Sequence, residues 1–291
     1  MRHSIDYVNC KALTRAVLSS MDKGRVIDRN HPYIYRAHVT LTSNSSDSQG
    51  PPTFRADTSR DEETEEELGW NTRHQLSFSL DRFAEEVGKH LNKVQHSYES
   101  IFLSTSPNLE WTVHRTGQKA RDSSETAGLA IFSVEAIYKV PGATLLPIGR
   151  VLTYLDADGK GHHISDKCRT WARNCQECIS IHYLPRESLV NWVPWADLIS
   201  PSLTYCLLPP KFNYCYTLGK FRKEHSRVVI DVTDYVARVV SFARTLGHGE
   251  RIRTYEFVKL VAAASNWGYY GSWTINDVLH LAKIEVDNLS L

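Results

Sequence analysis

No stretch of the 291 residues is apolar for long enough to cross a bilayer. The N-terminus, MRHSIDYVNCKALTRAVL, lacks the uninterrupted hydrophobic segment of a signal peptide. Together these absences predict a soluble, cytoplasmic chain, with secretion left open because a leader can be removed. Charge of either sign is not in excess: the formal net charge is +1, which gives no bulk attraction to nucleic acid or to an acidic membrane. Six cysteines (Cys10, Cys168, Cys175, Cys178, Cys206 and Cys215) are too sparse over this length for a disulfide framework. Nor does the chain repeat itself with a solenoid period. What it does have is 42% hydrophobic and 23% charged residues, a globular balance. At roughly 150 residues per domain, that length predicts one large unit and a small one.

Taken in order, Ile5, Val8, Ala12, Leu13, Ala16 and Val17 recur at helical spacing, so an N-terminal helix is expected within residues 1–25. Residues 31–39 are a run of β-formers behind Pro32, with Arg36 in the middle, and read as the first strand of a main domain over 26–200. Residues 42–67 stack acidic charge without periodicity and are expected to be a disordered insertion. Leu80, Phe83, Ala84, Val87, Leu91 and Val94 mark an amphipathic helix capped by Ser79, with His90 beside the apolar stripe. The apolar run Ile101, Phe102, Leu103 ends in Ser104, Thr105 and Ser106, and Pro107 fits the first position of a helix capped by Ser106. Residues 129–140 read as a strand and 145–155 as further β-prone sequence before a turn at 156–159. That turn has too few ligands for a calcium loop.

In residues 171–195, Glu177 opens an alternating run. Ile179, Ile181 and Tyr183 share its face, while Cys178, Ser180 and His182 take the other. Pro185 ends the ladder ahead of a turn and a short edge segment. Residues 201–225 read as a connector and 226–291 as a small helical appendage. Its first helix stops at Gly247, and Thr254 and Thr274 serve as caps for two more.

Arg36, His90, the Ser104-Thr105-Ser106 run and Glu177 each have an ordinary structural role to hand: rim charge, core histidine, cap and solvated strand start. Their order is more informative. Tyr35-Arg36-Ala37, Phe102-Leu103-Ser104-Thr105-Ser106 and Cys175-Gln176-Glu177, the last followed by Pro185, Leu189 and Trp192, resemble the motif series of the enterotoxin-type mono-ADP-ribosyltransferases. The similarity extends to pierisin-like enzymes and to uncharacterised fungal proteins with the same motif order, and covers about residues 33–198.

The resemblance implies an α+β fold, an ADP-ribosyltransferase-like split antiparallel β-sandwich with flanking helices and a small C-terminal helical region. It implies NAD as substrate and a toxin-like or effector transferase that moves ADP-ribose to an unknown protein or nucleic-acid acceptor. Glu177, Ser104 and Cys175 would form the catalytic set; Arg36, His90, Thr105 and Ser106 would bind NAD. The chemistry agrees with these roles. Cleaving the nicotinamide glycosidic bond creates an oxocarbenium-like ribose that a carboxylate stabilises. A pyrophosphate suits the planar fork of arginine. In relatives acting on arginine, the residue two before the glutamate is usually a second glutamate. Cys175 stands there, on the face of Glu177 by strand spacing, so the acceptor stays open, with water included as for an NAD glycohydrolase. Two other readings stand beside this one: an inactive fold that binds a partner, and a zinc-stabilised module using Cys168, Cys175, Cys178 and His163 or His182. Against zinc, a strand beginning by Cys175 points Cys175 and Cys178 to opposite faces.

Overall fold

The structure is a computed structural model that describes residues 7–9, 31–39, 54, 77–92, 100–123, 127–141, 143–199, 231–264 and 273–289. In chain order the described elements are β1 (Tyr7–Asn9), β2 (Tyr33–Val39), β3 (Ser77–Ser79), α1 (Leu80–Asn92), β4 (Phe102–Thr105), α2 (Leu109–Ser123), β5 (Ala127–Ser133), α3 (Val134–Lys139) and β6 (Leu146–Pro147). Then come α4 (Ile148–Ala157), α5 (Asp166–Asn174), β7 (Cys178–Ile181), β8 (Leu189–Pro194), α6 (Trp195–Leu198), α7 (Val232–Leu246), α8 (Arg251–Ala264) and α9 (Ile275–Asn288). The mixture is α+β, and no helix among the described residues is long and apolar enough to cross a membrane. The chain divides into two compact units, each assembled from three separate stretches.

The first unit takes residues 1–34, 52–107 and 132–189. Its sheet has the order β4-β7-β6 with antiparallel pairing, Ser104 opposite Ile179, Thr105 opposite Cys178 and Leu146 opposite Ile179. Helix α1 lies on it because Phe83, Ala84, Val87 and Leu91 recur at three- and four-residue spacing and are all buried. Ile148, Val151, Leu152 and Leu155 of α4 do the same, and they share one core with Phe102, Ile164, Ala172, Ile179 and Ile181. Burying each of the valine, leucine, isoleucine and phenylalanine side chains among them contributes about 1.5–3 kcal/mol. Phe83 meets Phe102 edge to face, with ring centroids 6.0 Å apart. Phe54, inside the stretch expected to be disordered, is buried with its ring edge-on to Phe132; the rest of 42–67 lies outside the described residues.

Three expectations for this unit are corrected. Residues 129–140 are not one strand: β5 stops at Ser133, whose side chain accepts from the N–H of Ala136 and starts α3. Residues 145–155 are mainly helix α4, because the 3.6-residue period of their apolar positions outweighs their β propensity. Within the expected N-terminal helix, Tyr7–Asn9 is a strand paired antiparallel with Ser77–Ser79; the remainder of residues 4–21 lies outside the described residues.

The second unit takes residues 35–51, 108–131 and 190–291. It holds most of a sheet of order β2-β5-β8, in which β8 is the edge strand expected after Pro185. Gly128 is required there: a Cβ would sit 2.5 Å from the Trp192 ring and 2.7 Å from the carbonyl oxygen of Val193. Helix α2 begins two residues later than the Pro107 start predicted for it, with Asn108 rather than Ser106 as its cap: the Asn108 Oδ1 accepts from the N–H of Trp111. Helix α7 buries Tyr235, Val236, Val239, Val240, Ala243 and Leu246 and ends at Gly247, as their spacing predicts. Thr274 caps α9 in a reciprocal box with Asp277, also as expected. Thr254 does not cap α8 but lies buried inside it. Helices α7 to α9 are not an appendage. They share a compact unit with α2, and the Asn191 side chain of β8 donates to the carbonyls of Thr245 and Leu246 at 3.0 Å each, closing the end of α7. The connector 201–225 lies outside the described residues.

Candidate active site

A helix C-terminus places Glu177. Helix α5 ends in a Schellman motif: Gln176 takes a left-handed φ of 51°, its N–H bonds to the carbonyl of Arg173, and the N–H of Glu177 bonds to the carbonyl of Ala172 at 2.9 Å. The carbonyl of Glu177 accepts from the N–H of Ile148 at 2.8 Å, where α4 begins. The backbone is therefore pinned on both sides before β7 starts at Cys178. The strand thus opens one residue after Glu177, which was expected to open it, and Cys175 precedes it as the C-cap of α5. A second left-handed residue, His182 (φ 64°), ends the ladder earlier than Pro185 was expected to.

The Glu177 side chain is buried, with 2% of its surface exposed. Ser104, delivered by β4, donates its hydroxyl to Glu177 Oε1 at 2.6 Å. His90, on the sheet-facing side of α1, brings Nε2 to 3.3 Å from the same oxygen and 3.0 Å from Ser104 Oγ. Phe102 meets the imidazole edge-on, with centroids 5.5 Å apart, and fixes its plane. A buried carboxylate is costly without partners, and hydrogen bonds to a charged group contribute about 1.5–3 kcal/mol each. The Ser104 hydrogen points at the carboxylate, not at the histidine. The trio therefore orients a carboxylate and does not activate a serine nucleophile.

Three residues chosen from the sequence thus meet directly: Glu177, Ser104 and His90. The other hydroxyls of the Ser-Thr-Ser run brace the backbone around them. Thr105 Oγ1 donates to the carbonyl of Cys178 at 3.1 Å, and Ser106 Oγ to that of Cys175 at 2.5 Å. Cys175 is the C-cap of α5, buried, with Sγ 3.5 Å from the carbonyl oxygen of Ala172, so strand alternation does not set its direction. Arg36 lies mid-strand in β2, half-buried, and belongs to the second unit. Ser100 was missed. Its Oγ stands 2.7 Å from His90 Nδ1, and nothing in the local sequence marks it.

The thiols are occupied locally. Cys168 donates to Asn92 Oδ1, and Cys178 Sγ lies 3.8 Å from the carbonyl oxygen of Gln176. Cys168, Cys175 and Cys178 form no disulfide, and no group of three or more His, Cys, Asp or Glu among the described residues could hold a metal ion. Burial, reinforced by the charge of Glu177 and by Cys175, pushes the Cys178 thiol far up, so it stays protonated and unreactive.

No curated protein and no solved structure matches the chain. A family profile matches residues 29–198, more than half of the 291 residues and the span that carries Arg36, His90, Ser104 and Glu177. The chain belongs to the DUF7587 family, a domain of unknown function.

Proposed function

We propose that this protein cleaves the nicotinamide glycosidic bond of NAD and transfers ADP-ribose to a macromolecular acceptor or to water. The observation that carries the reading is the buried Glu177 carboxylate, held at one oxygen by Ser104 and His90. Such a group stabilises a developing oxocarbenium ion because its orientation is set in advance and water is excluded. Ser104 and His90 hold it in place. Arg36 would take the pyrophosphate, and the whole would be an ADP-ribosyltransferase-like split β-sandwich. Backbone fixation of β7 by Thr105 and Ser106 fits a site whose carboxylate must not drift.

Transfer to water, or to an acceptor other than arginine, is favoured by one observation. At the position two before Glu177 stands a buried thiol bonded to its own helix, not a carboxylate. A guanidinium would find no acidic partner in that side chain.

Incubation of the purified chain with labelled NAD, with and without protein extract, tests the proposal. Released nicotinamide with label in protein identifies a transferase; released nicotinamide with free ADP-ribose identifies a glycohydrolase. Glu177→Gln should lower turnover by at least ~100-fold, and Arg36→Ala should mainly weaken NAD binding in calorimetry. Neither binding nor nicotinamide release under any of these conditions would sink the enzyme reading and leave a binding module.

A further inference from the structure

Ser100 stands just ahead of β4. Its Oγ accepts the N–H of Phe102 at 3.0 Å, which folds the side chain over the entrance to the strand and aims it at His90 Nδ1, 2.7 Å away. Proton accounting then fixes the state of the imidazole. Ser104 spends its hydrogen on Glu177 Oε1, so toward His90 it offers only lone pairs, as the carboxylate does. Nε2, which faces both, must therefore carry a hydrogen. A neutral ring then has a bare lone pair at Nδ1. Ser100 Oγ already accepts from Phe102, and its own hydroxyl hydrogen is the donor that meets that lone pair.

We infer that Ser100 is a positioning residue: by donating to Nδ1 it selects the Nε2–H tautomer of His90, which keeps a donor directed at Glu177. The consequence for turnover rests on the NAD reading above; the hold on His90 does not. Without the Ser100 hydroxyl, the proton is free to settle on Nδ1. The Nε2 lone pair would then oppose the Glu177 carboxylate at 3.3 Å, and the carboxylate would be driven from its place.

The test uses the full chain labelled with 15N-histidine, at a pH where the ring is neutral, with the His90 signals assigned by their loss in His90→Gln. The wild type should show Nε2 protonated and Nδ1 unprotonated but hydrogen-bonded. Ser100→Ala should shift Nδ1 and populate the other tautomer, and Ser100→Thr should restore the pattern. For nicotinamide release, kcat should fall roughly tenfold in Ser100→Ala, the scale of losing an outer partner of a functional histidine. KM should stay within about twofold, and threonine should recover kcat. A wild-type Nδ1–H tautomer overturns the inference, and needs no variant to fold. Unchanged His90 nitrogens in Ser100→Ala overturn it too, and a shifted tautomer with full kcat overturns its consequence for turnover. If the wild type releases no nicotinamide, the NAD reading falls, and the nitrogen signals alone decide whether Ser100 governs His90.

Discussion

Gln176 decides where Glu177 stands. Its left-handed backbone, φ 51°, lets the helix end and the next N–H turn back to Ala172, so the carboxylate emerges at the mouth of β7. For an L-residue that conformation costs about 1–2 kcal/mol, and more when the side chain branches at Cβ. Gln176→Gly should leave the fold intact. Gln176→Ile should lower stability in urea by at least about 1 kcal/mol and reduce nicotinamide release with it; an isoleucine variant as stable as the parent would contradict this role. The three polar groups that meet at the site could be picked out from the sequence by the order of their residue types. The means of bringing Glu177 there could not, because a left-handed glutamine leaves no compositional mark where a glycine would have. Ser100 was invisible for a related reason: its role depends on a ring nitrogen ten residues away in sequence.

Among the elements, long amphipathic helices were readable and short ones were not. Thirteen residues of α1 and fifteen of α7 carry enough periodic apolar positions to outweigh any local ambiguity. Helix α5 buries only Ala172, so no stripe announces it, and its polar sequence looks like loop. Strand β5 and the short helix α3 read as one strand because β-branched and aromatic residues run through both, and only the Ser133 cap separates them. The start of α9 illustrates how much a cap contributes. The Asp277 carboxylate accepts from the N–H of Thr274 at 2.6 Å and from its hydroxyl at 2.9 Å, and these bonds hold its pKa below the ordinary carboxylate value. A folded-state pKa below the unfolded one adds stability above the unfolded value, and that stability is lost as acid protonates the folded group. The parent should therefore be more stable than Asp277→Asn at pH 7. The gap in urea midpoint should close as the pH falls below the ordinary carboxylate value and the folded carboxylate takes up its proton. A gap independent of pH would show that the ionised cap is not the cause.

For the whole molecule, the family match and the compact units have different boundaries. The match ends at residue 198, whereas the second unit draws on 35–51, 108–131 and 190–291. A chain cut after residue 198 keeps every segment of the first unit and leaves α2 and β5 without α7, α8 and α9. Limited proteolysis followed by mass mapping should find residues 108–131 cleaved readily in that truncation and protected in the full chain. Equal protection in both would mean that the C-terminal helices are dispensable. Linear boundaries at 200 and 226, natural from composition, miss this because interleaving is a matter of three-dimensional closure, on which local composition is silent. The division also sets an order of events during synthesis. Everything the first unit needs, Glu177 and its partners included, has been made by residue 189, but the segments 35–51 and 108–131 must wait for helices that arrive more than a hundred residues after the second of them. On the ribosome Glu177, Ser104 and His90 can already be assembled while the segments of the other unit, Arg36 included, still wait for their helices, which makes that interval the one in which the nascent chain most needs protection from aggregation.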